Sequence, residues 1–291
     1  MTPTDLMLYM IKGQGMIFFT DLDNTIIYSY KHDIGPDKID VELYQDRNIS
    51  FVTRKTHEMF AELQKKIMVI PISTRTVEQY ERINLKAGSF EYALVCNGGV
   101  LLKDGERVDA WYRESLKAIE ESKNALERAL EILGKDSRRT FELRFIEKLF
   151  VFTKCDEPEQ VVADLRQQLK DEPVDVFNNG TKVYVVPDEL SKGRAVERFL
   201  KWIYGSEDGL IGNAAETSDD GEMTGMTIAA GDSEFDVTML EAVDIGLVPY
   251  GFINKFGDRF SKGLGEGLIE MGEDMIFSDA LLEKCLELVQ S

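Results

Sequence analysis

At 291 residues the chain is long enough for one elaborated domain or two of ordinary size. Its 53 acidic residues against 34 basic ones give a formal charge of -19 and a pI near 4.6, so nucleic acid and anionic membrane, which such a field repels, are not expected partners. No apolar run approaches a membrane span, no signal-peptide pattern opens the chain, and Cys96, Cys155 and Cys285 are too few and too far apart for a disulfide framework or a structural zinc site; a cytoplasmic protein is the expectation.

The first clear element is the strand "MIFFT", which delivers the chain to Asp21 and Asp23. Residues 28 to 55 follow as a long loop in which "VELYQDRNISFVT" reads as a hairpin turning at Asp46-Arg47-Asn48, with Arg47 near its tip. A helix is expected from about Thr56 to Lys66, then the continuous apolar run "IMVIPIS", a helix from about Thr76 to Lys86, and the strand "YALVC". This βαβ rhythm predicts a doubly wound parallel sheet, whose ligands bind beyond the carboxyl ends of the strands.

The rhythm changes after Asn97-Gly98-Gly99. A hairpin around Asp104-Gly105, a long helix from about Arg113 to Leu133 stopped by Gly134, two alternating strands, a helix after Pro158 and a strand pair across Asn179-Gly180 predict an inserted α+β domain over residues 100–186. Residues 1–99 and 187–291 then form the α/β core, with Asn97 and Gly98 at the hinge. In the second half of the core, Ser191 caps a helix to about Tyr204, "MTIAAG" and "DIGLV" are strands, Glu234 to Ala242 is a helix, and "SDALLEKCLELV" is a closing amphipathic helix. Gly205 to Gly225, rich in Gly, Asp, Glu, Ser and Thr, reads as a loop.

Two carboxylates about 4 Å apart repel by roughly 4 kcal/mol at an effective dielectric near 20. A divalent cation turns that repulsion into attraction, and oxygen donors without cysteine or histidine favour Mg²⁺. A second acidic pair, Asp232 and Asp236 in "AAGDSEFDVTML", also follows a strand and can converge on the same ion. In "PISTRT", Ser73 lies just past the second strand, where a hydroxyl and free backbone N-H groups can hold a phosphate oxygen, and Thr74 follows it. Lys192 in "ELSKGRAV" sits in the first turn of a helix, a position poorly suited to a cation unless an anion lies beside it. With two histidines in the chain, His32 and His57, acid/base chemistry falls to carboxylates.

"DLDNT", the Ser73 segment, Lys192 and "GDSEFD" together resemble the four ordered motifs of the haloacid dehalogenase (HAD) superfamily of phosphohydrolases. The insert between the second and third motifs resembles a type 2 cap, and its size is similar to that of the sucrose phosphatase, mannosyl-3-phosphoglycerate phosphatase, trehalose phosphatase and phosphomannomutase group. Asn24 replaces a common glycine, and Glu234-Phe235 replaces Gly-Asn before the last aspartate.

The resemblance implies a Mg²⁺-dependent phosphatase acting on a small phosphorylated metabolite of the sugar phosphate type. In it Asp21 is the nucleophile and Asp23 the acid/base, the ion is held by Asp21, the Asp23 backbone, Asp232 and Asp236, and Ser73, Thr74 and Lys192 hold the phosphoryl group. Substrate choice then belongs to the cap, with Asn178, Asn179 and Lys182 as first candidates and Arg144, Lys148 and Lys154 behind them. A phosphosugar mutase or phosphotransferase, and a catalytically idle binding protein on the same fold, are the alternative readings.

Overall fold

The computed structural model describes residues 15–204, 225–261 and 263–290. Five parallel strands form the central sheet, in the order Leu268–Glu270, Ile245–Val248, Thr227–Ala230, Ile17–Thr20, Met68–Pro71. The expected α/β architecture, a doubly wound parallel sheet with an additional antiparallel α+β unit, is the one observed.

Strand Ile17–Thr20 is buried throughout because both faces of the sheet are covered. Side chains alternate across a strand, so Phe19 packs with Phe199 and Leu200 of helix Lys192–Tyr204, while the neighbouring Phe18 packs on the opposite face with Phe60, Leu63 and Leu281. Helices Arg54–Leu63 and Phe277–Gln290 cover that second face. Beyond Met68–Pro71 the sheet continues to strand Tyr92–Val95 through one parallel bridge, Ile72 to Leu94. Tyr92–Val95 pairs antiparallel with Val100–Lys103, which turns at Asp104-Gly105 into Glu106–Arg107.

The four-stranded antiparallel sheet has the order Val174–Asn179, Lys182–Pro187, Phe150–Lys154, Arg144–Ile146. Helices Asp109–Ala118, Lys123–Lys135 and Pro158–Gln168 accompany it, and Leu126, Ala129, Leu133, Val161 and Leu165 pack against Val151, Val176 and Val183.

Local boundaries differ from the sequence reading in four places. The helix expected over 113–133 is two helices broken by a 3-10 turn at Glu120–Ser122, where buried Ile119 turns inward and Ser122 Oγ donates to the Pro173 carbonyl; the second helix runs through Gly134 to Lys135. The helix expected over 76–86 spans Val77–Glu81, because Asn84 N-H donates to the Val41 carbonyl and Ile83 bridges Glu42. Helix 234–242 is a 3-10 turn at Glu234–Asp236 followed by Val237–Leu240. The hairpin of residues 28–55 is a three-stranded sheet, with Lys38–Tyr44 and Arg47–Thr53 joined by Gln45-Asp46, both left-handed, rather than by a turn at 46–48. The loop expected at 205–225 lies, Gly225 apart, outside the described residues.

Candidate active site

Asp21, Ser73 and Asp232 follow three adjacent strands, Ile17–Thr20, Met68–Pro71 and Thr227–Ala230, at their carboxyl ends. This is the edge where an open α/β sheet binds its ligands. Asp21 N-H donates to the Ala230 carbonyl at 2.9 Å, which continues the ladder one residue past the strand and fixes the first carboxylate beside the second acidic loop.

Carboxylate oxygens of Asp21, Asp232 and Asp236 lie within 4.8 Å of one another. Between two of them sits the buried Lys192, whose Nζ donates to Asp21 Oδ1 and to Asp236 Oδ1, both at 2.6 Å. Asp236 uses its other oxygen, Oδ2, to accept from Asp232 N-H, Ser233 N-H and Ser233 Oγ at 3.1, 2.9 and 2.8 Å. Both oxygens of Asp236 are therefore engaged in orienting Lys192 and the 232–236 loop. Asp232 is freer, accepting from Thr25 Oγ1 at 3.4 Å.

Three carboxylates against one ammonium leave this cluster with two negative charges in excess. Burial raises the Asp21 pKa to about 7 against the pull of Lys192, with Asp236 and Asp23 adding repulsion. Burial and the same neighbours push Asp232 well above the ordinary carboxylate range. Lys192 stays charged, because the attraction of Asp21 and Asp236 outweighs its own burial. An oxygen-only donor set with a two-charge deficit fits Mg²⁺, and Asp21 and Asp232 are the carboxylates left able to hold it.

Asp23 is built differently. Its side chain turns away from the cluster and is gripped bidentately by Arg75, Nε to Oδ2 and Nη2 to Oδ1, both at 2.7 Å. Despite burial that opposes ionisation, the Arg75 hydrogen bonds and charge hold its pKa below the ordinary value, with Lys182 and Lys192 adding to the pull. Arg75 also donates to both oxygens of Glu42 at 2.9 and 3.0 Å, and Ser50 and Arg82 complete the shell of that buried carboxylate. Ser73 is buried, and its Oγ accepts from Arg75 N-H at 3.2 Å.

A cleft of about 520 Å³ opens outward from Asp23. Its floor is Asp23, Thr74 and Arg75; one wall is the sheet of residues 28–53, with Tyr30, His32 and Ser50; the other is the four-stranded sheet, with Arg144, Phe152, Lys154, Lys182 and Tyr184. The expected site residues Asp21, Asp23, Ser73, Lys192, Asp232 and Asp236 thus gather at one end of the sheet, Thr74 and Lys182 face the cleft, and so do the secondary candidates Arg144 and Lys154.

Asn178 and Asn179 do not line the cleft. Asn178 pairs in register with Val183, one step out of phase with Lys182 and Tyr184, so it faces the helix side, where its Nδ2 donates to Glu159 and to the Gly180 carbonyl. Lys148 lies in the left-handed turn Glu147-Lys148, also away from the cleft. Cys96, Asn97 and Gly98 are three consecutive left-handed residues, and a Cβ on Gly98 would come within 2.3 Å of Ala195 Cβ. Asn97 Nδ2 ties this crossing to the Leu190 carbonyl of the return crossing at 2.8 Å.

Arg75, Glu42, Arg82 and His32 are the site residues the sequence reading passed over. Arg75 stood in the quoted "PISTRT" segment, where its place two residues after Ser73 was the available signal. Phe235, noted as a departure from the motif, packs edge-on against Phe177 and Tyr184 of the four-stranded sheet, with ring centroids 4.3 and 5.0 Å apart. The loop that carries Asp232 and Asp236 is therefore in contact with the wall of the cleft.

Gly193 makes the placement of Lys192 testable. Its Cα faces the Thr238 backbone so closely that an added Cβ would lie 2.2 Å from the carbonyl oxygen. Gly193→Ala is expected to destabilise the fold by about 1–3 kcal/mol by pushing the helix start, and Lys192 with it, outward. Chemical denaturation checks this.

The sheet order and the antiparallel insertion are similar in fold to solved haloacid dehalogenase-like hydrolases. Among solved structures, the chain is similar to the sucrose-phosphatase of a Synechocystis species, determined with sucrose and phosphate (TM-score 0.59, 14% identity, 94% of this chain and 98% of that one). It is also similar to a trehalose-6-phosphate phosphatase related protein (TM-score 0.51, 12% identity, 94% and 99%) and to a haloacid dehalogenase-like hydrolase of Bacillus subtilis (TM-score 0.50, 13% identity, 99% and 99%). No protein-family model matches the sequence, and no curated protein matches it. Among the described residues no helix is long and apolar enough to cross a membrane.

Proposed function

We propose that the protein is a Mg²⁺-dependent phosphatase of small phosphorylated metabolites, sugar phosphates among them, working through a phosphorylated Asp21. The observation that carries this reading is the buried Asp21–Lys192–Asp236 array beside Asp232, opening through Asp23 into a cleft of substrate size. Residues 1–99 and 187–291 serve as the catalytic core and 100–186 as the cap that covers it, hinged at Asn97 and Gly98.

In the first step an Asp21 carboxylate oxygen attacks phosphorus, the phosphorus–oxygen ester bond breaks, and Asp23 gives its proton to the departing alcohol oxygen. The incoming phosphate's charge raises the Asp23 proton affinity, offsetting Arg75. In the second step Asp23, ionised again, takes a proton from water as the water oxygen attacks phosphorus, and the bond to Asp21 breaks to release inorganic phosphate. The grip of Arg75 suits Asp23 to this base role. Lys192 and the Ser73 hydroxyl hold the phosphoryl oxygens throughout, so much of the rate comes from fixed charge and position. Bound by Asp21 and Asp232, with Asp236 and the Asp23 backbone in support, Mg²⁺ would neutralise the phosphoryl charge.

Sugar monophosphates incubated with the protein and Mg²⁺ should release inorganic phosphate. Isomerised sugar phosphate without free phosphate would replace the hydrolase by a mutase, and binding without either product would leave a binding protein.

Metal binding has a separate signature. Asp21 and Asp232 have raised folded-state pKa values, about 7 for Asp21, against an ordinary 3.8. The metal-free folded protein thus binds more protons than the unfolded chain between those values, and these groups make its stability fall as pH rises through that window. Mg²⁺ relieves the repulsion only where protons do not compete, so its effect on the melting temperature should be larger near pH 8 than near pH 5. Equal shifts at the two pH values would remove the cluster as the metal site.

A further inference from the structure

The cap's contribution to the cleft is chemically one-sided. Its lining residues are Phe141, Arg144, Ile146, Phe152, Lys154, Lys182 and Tyr184: three cations, an aliphatic and three aromatics, with neither a carboxylate nor an amide. In a chain with 53 acidic and 34 basic residues this is the reverse of the background composition.

The register explains how the cations are presented. Arg144 pairs with Phe152, Phe152 with Tyr184, and, two residues along the same strands, Lys154 with Lys182. With side chains alternating, all five stand on the face that looks into the cleft, as does Asn179, opposite Lys182 but beyond the cleft lining. Like charges directly opposite one another in a ladder are unfavourable. Lys154 and Lys182 nonetheless form such a pair, and neither has a carboxylate partner among the described residues; Lys154 rests over the Phe141 ring at 4.9 Å, and Arg144, which pairs with Glu142, lies over the same ring at 5.0 Å.

These cations are not needed by the phosphoryl group itself, which has Lys192, a residue that like Asp21 and Ser73 lies below the cleft rather than in its lining. The other cleft cations, Arg75 and Arg82, are already matched to Asp23, Glu42 and Glu78. Among the described residues the Lys154–Lys182 pair has no carboxylate at ion-pair distance; Lys182 is drawn only through space to the Asp23 that Arg75 already grips, and the pair stands on the side where the alcohol part of the ester would lie. A neutral polyol would meet hydroxyl-reading groups elsewhere in the cleft, such as Asn24, Gln79, Ser29 and Ser50, but would bring no negative charge to these two adjacent ammonium groups.

We propose that the substrate is a phosphate monoester whose alcohol part carries a second anionic group, a carboxylate or a second phosphate, held by Lys154 and Lys182 with Arg144 at the rim. The proposal rests on the phosphatase reading for which end of the ligand faces Asp21, and it narrows the substrate class within that reading. Phe152 and Tyr184 form the wall against which the carbon skeleton lies, and the ring of Phe141 lies under Lys154 and Arg144.

The test is a binding measurement that does not require turnover. Asp21→Asn protein with Mg²⁺ is titrated calorimetrically with two matched series: glucose 1-phosphate, glucuronic acid 1-phosphate and glucose 1,6-bisphosphate; and glycerol 3-phosphate with 3-phosphoglycerate. In at least one series an anion-bearing member should bind roughly tenfold or more tightly than its neutral counterpart, and that ratio should fall close to one in the Lys154→Gln, Lys182→Gln double variant. The carboxylate and bisphosphate arms separate the two sources of the charge. Equal or weaker binding of the charged members in both series, binding of none of them, or a ratio that survives the double substitution would overturn the proposal. Phosphate release from p-nitrophenyl phosphate by the unaltered protein is measured in parallel, so loss of the phosphatase reading shows as absent release while the binding ratio is judged on its own.

Discussion

Asp21→Asn is expected to lower phosphate release on the order of 10⁴-fold or more while leaving the protein folded. The amide keeps the shape and the hydrogen-bonding reach of the carboxylate but cannot attack phosphorus. Folding should not suffer, because Asp21 is a buried carboxylate whose charge is disfavoured in the metal-free protein, and Lys192 keeps Asp236 as its partner. In EDTA the variant should therefore melt no lower than the parent protein near neutral pH. Steady-state phosphate release and thermal melts decide the matter; turnover within tenfold of the parent would remove Asp21 as the nucleophile.

Arg75→Gln should have the largest effect on stability. The Glu42 side chain is fully buried, and Arg75 supplies two of its hydrogen bonds. Removing one partner of a buried pair costs about 3–5 kcal/mol, and the surviving Arg82 and Ser50 contacts place this case at about 3 kcal/mol. Glu42→Gln in the same chain should return much of the loss, since the orphaned charge is then gone.

The pH dependence follows with a definite sign. Glu42 and Asp23 have folded-state pKa values below their ordinary 4.5 and 3.8, so the stability they contribute is complete above those values and disappears as pH falls through the lower folded ones. Without Arg75 that protection is weakened, and acid unfolding should begin at a higher pH. Asp23 also loses the partner that keeps it ionised, so the acid limb of the pH–rate profile should move upward. An unmoved limb would mean that Arg75 does not tune Asp23.

Sequence alone determined which segments bring residues to the acidic end of the sheet and the rough order of strands and helices. "MIFFT" before Asp21, "IMVIPIS" before Ser73 and "MTIAAG" before Asp232 are short runs buried on both faces, the pattern of strands inside a covered parallel sheet when helices alternate with them. An aspartate or serine just past such a run must then sit at the carboxyl edge, so the cluster was legible before its geometry was known. Tertiary structure decided the matters in which one residue of phase changes the answer. A bulge around Glu42 turns that side chain into the interior, where it recruits Arg75 and Arg82, and no alternation pattern announces it. The same phase rule sends Asn178 to the helix side of its sheet and Lys182 to the cleft, although the two are four residues apart in one hairpin. Local sequence fixes how a strand alternates, but which of its two faces meets the site depends on what packs against it from far along the chain.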